Sequence, residues 1–294
     1  METKEGKKVM HDIFYFTDVH GMYSLFKSAM DYCNKCDPEA MIIFGGDACD
    51  RGPDGYKIMK ELIANPKVVY IRGNHEDMFL RAAHDMICQY PEIANTVHNQ
   101  IEANDIIGMN RWMDSVNLSI YNGGRPTLTD WLMDGAKTEF LYELAYKMVY
   151  TFQIENHVCF SHAGGNQRIW RRVNDSEYNH EIPDKGDAHA MIWDRYYLDS
   201  MWDANHTIIF GHTPTCYLND YVSVERLKEA DIHPVKYYEE SGAHIAMDTG
   251  AVFTGRLFVL NCLTMKAQGF EDIDAGTQCE PQNHTVKEIE VIQL

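Results

Sequence analysis

The chain has 294 residues and is 45% hydrophobic, enough for a full core near the upper size of a single domain. It carries 26 Lys and Arg against 44 Asp and Glu, a formal charge of -18, which disfavours broad nucleic-acid binding and anionic membranes. The same charge repels phosphorylated ligands at long range, so any attraction to phosphate has to be local.

The polar start, Met-Glu-Thr-Lys-Glu-Gly-Lys-Lys, leads straight into a strand. No secretory signal is visible and no apolar run approaches the ~18 residues of a membrane span, so a soluble, cytoplasmic protein is the expectation. Ile13–Phe16 reads as a buried strand. Met22–Cys33 has helical spacing, with Leu25, Phe26, Ala29 and Met30 on one face. Met41–Phe44 and Val68–Ile71 read as further strands, Tyr56–Ala64 and Glu76–Ile87 as further helices. This β-α-β-α-β order with short loops predicts a parallel sheet wound right-handed. Residues 88–147 read as a mainly helical insertion, with Trp112, Trp131, Leu132, Phe140, Leu141 and Leu144 as buried contacts. Within it Asn122-Gly123-Gly124-Arg125-Pro126 is a turn, and Thr127 or Thr129 is placed to cap the next helix. From about 148 the pattern becomes strand-rich, with strands expected at Val149–Ile154, Val158–Phe160, Ile208–Phe210, Ile245–Met247, Leu257–Asn261 and Val286–Ile292. The polar stretches 172–188 and 219–242 read as surface loops of the kind that shape substrate choice. No repeat or linker is visible, so residues 1–294 read as one domain.

Five islands of metal-binding residue types stand along this pattern. They are Asp18-Val19-His20-Gly21, Gly46-Asp47-Ala48-Cys49-Asp50-Arg51-Gly52, Gly73-Asn74-His75-Glu76, Ser161-His162-Ala163-Gly164 and Gly211-His212-Thr213. Almost every His, Asp and Asn in them falls just after a short apolar run, where α/β sheets expose strand ends and bind ligands. Asp18 and His20, two residues apart, can turn toward one cation. Asp47 is a carboxylate able to bridge two. Asn74 ligates without added charge, and His162 and His212 supply nitrogens from the second half. A mixed N/O set without cysteine fits Mn, Fe, Zn, Ni or Co rather than a closed structural zinc site. Two metals ~3.5–4 Å apart can hold a bridging hydroxide and the phosphoryl oxygens together, for in-line attack on phosphorus. Glu76 reads as a brace for the following helix rather than a ligand, Arg72 as structural, and Trp112, Trp131, Trp170 and Trp202 as core or rim. Of the eight cysteines, Cys33 and Cys36 form a lone C-x-x-C at a helix end and read as ordinary thiols. Cys49 reads as small apolar packing, with oxidation sensing as the alternative.

These islands, in this order and with these gaps, resemble the calcineurin-like metallophosphoesterases. Asp50-Arg51-Gly52 and Ile71-Arg72 before Gly-Asn-His-Glu resemble the phosphoprotein phosphatase branch, with its phage and bacterial serine/threonine phosphatases and symmetrical diadenosine tetraphosphate hydrolases. Asp248-Thr249-Gly250 followed by Gly255-Arg256-Leu257 fits the same compact members. The resemblance spans roughly residues 12–262. It implies an α/β fold with two central mixed sheets flanked by helices. It also implies that Asp18, His20 and Asp47 hold one metal and Asp47, Asn74, His162 and His212 the other, with manganese the first expectation. His75 would be the general acid, oriented as an imidazolium by Asp50. Arg51, Asn74 and, on a shorter match, Arg195 would bind phosphate. The implied activity is hydrolysis of phosphomonoesters, foremost phosphoserine and phosphothreonine in proteins. The alternatives are dinucleoside polyphosphate hydrolysis and a metal-holding module without catalysis. The chain lacks the Ser-Ala-Pro-Asn-Tyr element of eukaryotic protein phosphatases, so regulatory subunits are not indicated.

Overall fold

The computed structural model describes residues 10–94, 97, 99–109, 113–154, 158–165, 185–195, 206–217, 232–237, 243–275 and 284–294. In chain order the strands are β1 (Ile13–Phe16), β2 (Met41–Phe44), β3 (Val68–Ile71), β4 (Met148–Val149), β5 (Thr151–Ile154), β6 (Val158–Ser161), β7 (Thr207–Phe210), β8 (Val235–Tyr237), β9 (His244–Ala246), β10 (Arg256–Asn261), β11 (Lys266–Asp272) and β12 (Val286–Gln293). The helices are α1 (Tyr23–Cys36), α2 (Gly55–Ala64), α3 (Asn74–Gln89), α4 (Gln100–Ile107), α5 (Asp114–Tyr121), α6 (Arg125–Met133), α7 (Thr138–Lys147), α8 (Lys185–Ile192) and α9 (Ala251–Thr254).

Two mixed sheets form. One has seven strands in the order β12-β11-β10-β1-β2-β3-β4 and the other five, in the order β5-β6-β7-β9-β8. β1 to β4 run parallel, and β10 to β12 add an antiparallel wing beside β1. In the second sheet β6, β7 and β9 are parallel, with antiparallel strands at both edges.

Side-chain alternation explains the layers. In β1, Phe14 and Phe16 point to a core shared with α1 to α3 and the helical insertion, while Tyr15 points to a core between the sheets. Ile42 and Phe44 against Ile43, and Tyr70 against Ile71, divide in the same way. In β7, Ile209 faces the inter-sheet core and Ile208 and Phe210 pack toward Ala190, Met191 and Ile192 of α8. A period of two thus feeds two apolar faces on each strand, so the sheets stack and helices cover their outer sides. The α/β architecture of two mixed sheets flanked by helices is the one expected.

Four local expectations change. The single strand predicted at Val149–Ile154 breaks at Tyr150: β4 pairs with β3 in the first sheet and β5 with β6 in the second. The predicted loop 172–188 ends in helix α8, and the predicted loop 219–242 contains β8. Thr127 and Thr129 do not cap α6, because the helix already begins at Arg125 with Pro126 in its first turn. Trp131, Leu132, Phe140 and Leu144 are buried and Leu141 partly so. Trp112, Trp170 and Trp202 lie outside the described residues.

Candidate metal centre

The parallel strands deliver the islands to one place. Asp18 follows β1, Asp47 follows β2 and Asn74 follows β3. His162 follows β6, and His212 follows β7. Six of the eight non-glycine residues with positive φ among the described residues are Asp18, His20, Asp47, Asp50, Arg51 and His212. Left-handed backbone is costly for such residues, and it concentrates where the side chains must be aimed.

Two buried clusters meet at Asp47: His20, Asp47 and His75 in one, and Asp47, His162 and His212 in the other. The two carboxylate oxygens divide between them. Oδ2 lies 3.6 Å from His20 Nε2, and Oδ1 lies 3.4 Å from His162 Nε2. The backbone N–H of His75, in the first turn of α3, donates to Oδ1 at 3.0 Å, so the positive end of a 16-residue helix faces the shared carboxylate. Asn74 presents Oδ1 to His162 Nε2 and to His212 Nδ1, each at 3.0 Å.

Backbone carbonyls orient the imidazoles. His20 Nδ1 donates to Cys49 O at 2.9 Å, His162 Nδ1 to Gly45 O at 2.8 Å and His212 Nε2 to Trp193 O at 3.1 Å. The opposite nitrogen of each ring therefore faces the centre, the arrangement that sets ligand tautomers at metal sites. Burial, then the charges of Arg51 and His75, hold the His20 imidazole well below its ordinary pKa. Burial, then His162 and Arg195, do the same to His212. His212 Nδ1 is then a lone pair facing the carbonyl oxygen of Asn74, a contact that favours a cation between them. Burial opposes charge on His162 too, yet the Asp47 carboxylate outweighs it and raises the imidazole to about 10. Burial likewise works against ionisation of Asp47, and His162 and His75 overcome it, holding the carboxyl well below its usual range. A buried carboxylate, an amide oxygen and imidazole nitrogens lie within reach of one another, a donor set that suits a divalent metal, so the residues fit the implied group.

Asp18 belongs to neither group of three but touches the second through His212. Its two oxygens accept the backbone N–H of His212, each at 3.1 Å, and burial followed by the neighbouring Asp248 raises its pKa well above the aspartate range. Asp248, just beyond β9, is itself buried and raised to about 6 by that burial. It went unassigned in the sequence, although it follows an apolar strand as Asp18 and Asp47 do.

His75 Nδ1 donates to Asp50 Oδ2 at 2.8 Å, with both residues buried. Exposed Arg51 spans the first cluster, with Nη1 2.6 Å from His20 Nε2 and Nη2 3.0 Å from His75 Nε2. Arg195, also exposed, donates from Nε to Thr213 Oγ1 at 3.0 Å, beside the second cluster. Glu76 is a brace. Its Oε2 accepts the N–H groups of Asp47 and Gly73 at 2.9 Å, and its Oε1 accepts Ala48 N–H at 2.7 Å and the Tyr70 hydroxyl at 2.9 Å. Arg72 pairs with Asp77 at 2.6 Å and lies over the Tyr150 ring, a structural role. Cys49 is buried, and that burial, reinforced by Asp50, pushes its thiol far up. Reactive cysteines need a thiolate, so Cys49 serves as packing.

Residues 11–235 match the family model of the calcineurin-like phosphoesterases. The chain is 24% identical over 268 residues to a serine/threonine-protein phosphatase 1 of Salmonella typhimurium, covering 86% of this chain and 92% of that protein. It is 37% identical over 60 residues to a symmetrical bis(5'-nucleosyl)-tetraphosphatase of Wigglesworthia glossinidia brevipalpis, covering 20% of this chain and 22% of that protein. Among solved structures, a cold-active protein-tyrosine phosphatase of a psychrophilic Shewanella is similar at 15% identity and a TM-score of 0.45, with 96% of this chain and 81% of that chain covered. The family match extends over the strands that carry all five islands, and the strand ends bring those islands to one buried His/Asp/Asn centre: the chain belongs to the calcineurin-like phosphoesterases and is a metal-dependent phosphatase.

Proposed function

We propose that the chain is a single catalytic domain that hydrolyses phosphomonoesters, with phosphoserine and phosphothreonine in proteins as the favoured class. In this reading Asp18, His20 and Asp47 hold one divalent transition metal and Asp47, Asn74, His162 and His212 a second, with manganese the first expectation. Bound there, the pair supplies an activated water and neutralises charge on the phosphoryl oxygens. The carrying observation is Asp47, whose two oxygens face the two clusters separately. Arg51 offers two N–H donors over the first cluster, the fork that suits a phosphate. Asn74 and Arg195 would meet the phosphate from the second cluster. His75 Nε2, which meets Arg51 Nη2 at 3.0 Å here, would hand a proton to the leaving oxygen once Arg51 turns to the phosphate, while Nδ1–H stays on Asp50, which keeps the ring from turning. A pure binding site would not need that acid.

The phosphatase relative spans most of both chains, whereas the tetraphosphatase match covers about a fifth of each. The second reading, dinucleoside polyphosphate hydrolysis, draws support from that shorter match and from Arg168, Arg171 and Arg172, which lie outside the described residues. The test compares kcat/KM for a phosphoserine peptide and for diadenosine tetraphosphate at one salt and Mn²⁺ concentration, with metal content measured before and after chelation. The peptide is expected to be the better substrate, with activity lost on chelation and regained with metal. Turnover of the dinucleotide ~100-fold more efficient than of any phosphopeptide would hand the function to the second reading.

A further inference from the structure

Among the described residues, the helical insertion meets the centre through a turn and a hydroxyl. The turn between α5 and α6 brings Gly123 O to the backbone N–H of Arg51 at 2.8 Å. Gly123 has φ +94°, and a Cβ there would stand 3.0 Å from Arg51 Cγ and from Arg51 N. One helical turn later, Thr127 Oγ1 accepts the backbone N–H of Asp50 at 3.0 Å and donates to Asp50 Oδ1 at 2.7 Å. The other oxygen of that carboxylate accepts from His75 Nδ1 at 2.8 Å. Thr127, Asp50 and His75 are buried, so the chain of bonds is shielded from water. Asp50 and Arg51 both have positive φ, 68° and 65°, a conformation that persists only where surroundings impose it. The insertion supplies a constraint to each of the two residues.

We propose that Thr127 is a positioning residue for proton delivery. Bonds at both Asp50 oxygens stop the carboxylate from rotating, and a fixed carboxylate fixes the plane of the His75 ring. The insertion, through α6, thereby sets the line along which Nε2–H meets the leaving oxygen. Only a side chain that both donates and accepts at that point completes the pair of bonds, so serine substitutes and isosteric valine does not. Valine would also leave a buried N–H of Asp50 without its acceptor. This inference rests on the reading of His75 as the proton donor.

The experiment uses the full chain loaded with Mn²⁺ and four proteins: wild type, T127V, T127S and H75N. Each is assayed on a phosphoserine peptide, whose alkoxide leaving group needs the proton, and on p-nitrophenyl phosphate, whose leaving group does not. The ratio of the two rates is independent of how much of a preparation is folded. T127V is expected to lower kcat on the peptide ~10–100-fold and on p-nitrophenyl phosphate less than ~3-fold, with both KM values within ~3-fold. T127S is expected to restore the wild-type ratio, and H75N to shift it further in the direction of T127V. A wild-type ratio in T127V beside a shifted ratio in H75N overturns the inference and leaves the His75 reading standing. An unshifted ratio in H75N removes that reading, and this inference with it.

Discussion

At the scale of single residues, Asp47 holds the centre together. Its oxygens face separate clusters, its N–H is held by Glu76, and the first turn of α3 donates to Oδ1. Asp47→Asn removes the shared negative charge, so both metals should weaken together and activity should fall at least ~100-fold. His162→Asn, which touches one cluster, should instead lose a single metal. Metal analysis of the two purified variants checks this, and equal stoichiometry in both would contradict a shared carboxylate. A residue of another kind is Asp130, half-buried on α6, which burial and then the charge of Asp54 raise to about 6. An acid with a raised folded pKa keeps its proton more tightly when folded. Its contribution to stability therefore declines as pH climbs from ~4, its unfolded value, to ~6. For a buried group the shift would amount to about 3 kcal/mol, and solvent screening at this half-open position reduces it to ~1 kcal/mol. Asp130→Asn should accordingly be stabilising by ~1 kcal/mol at pH 7 and neutral at pH 4. Urea midpoints at the two pH values decide it, and an equal gain at both would mean that titration is not the cause.

At the scale of elements, the site is a junction of loops that follow parallel strands, and their close approach is itself a constraint. Gly211, just after β7, donates its N–H to His162 O at 2.9 Å. A Cβ at Gly211 would collide with Asp18 Oδ2 and lie 2.7 Å from Thr17 Oγ1. Gly211→Ala should force the β1 and β7 loops apart at a cost of about 1–3 kcal/mol, with a fall in metal affinity of ~10-fold or more. Competition with a chromogenic chelator and a urea titration measure the two effects. Wild-type values in both would mean that the loops do not meet as described. The same elements show where sequence reading loses its grip. β11, Lys-Ala-Gln-Gly-Phe-Glu-Asp, is polar in sequence yet central in the antiparallel wing, where pairing on both sides supplies what periodicity does not. β8 has three residues, and α8 has little amphipathic contrast, so neither carries a pattern of its own.

At the scale of the whole molecule, the two sheets share one inter-sheet core, and the chain carries a formal charge of -18. Among the described residues no helix is long and apolar enough to cross a membrane. Long-range repulsion weakens with salt, while contacts at a buried centre are screened less. A tetraphosphate dinucleotide carries more negative charge than a singly phosphorylated peptide, so raising ionic strength should increase its kcat/KM by the larger factor. A salt series on both substrates at constant Mn²⁺ tests this. A parallel response would show that net charge does not govern encounter.

The strand–helix order of the first three strands and helices, the placement of the five islands and their residue types were legible in the chain itself, because apolar periodicity and short motifs are local. Ile13–Phe16, Met41–Phe44 and Val68–Ile71 were read to the residue for that reason. What sets the geometry of the site was decided by tertiary structure. Tyr150 divides one apolar run between two sheets, a choice made by pairing partners far along the chain. The carbonyls of Gly45, Cys49 and Trp193 aim the imidazoles, and a carbonyl carries no sequence signature. Thr127 reaches Asp50 across 77 residues, and Asp18 meets His212 across 194. Contacts at such separations exist only once helices and sheets have packed, since local preference says nothing about which distant loops the packing will bring together.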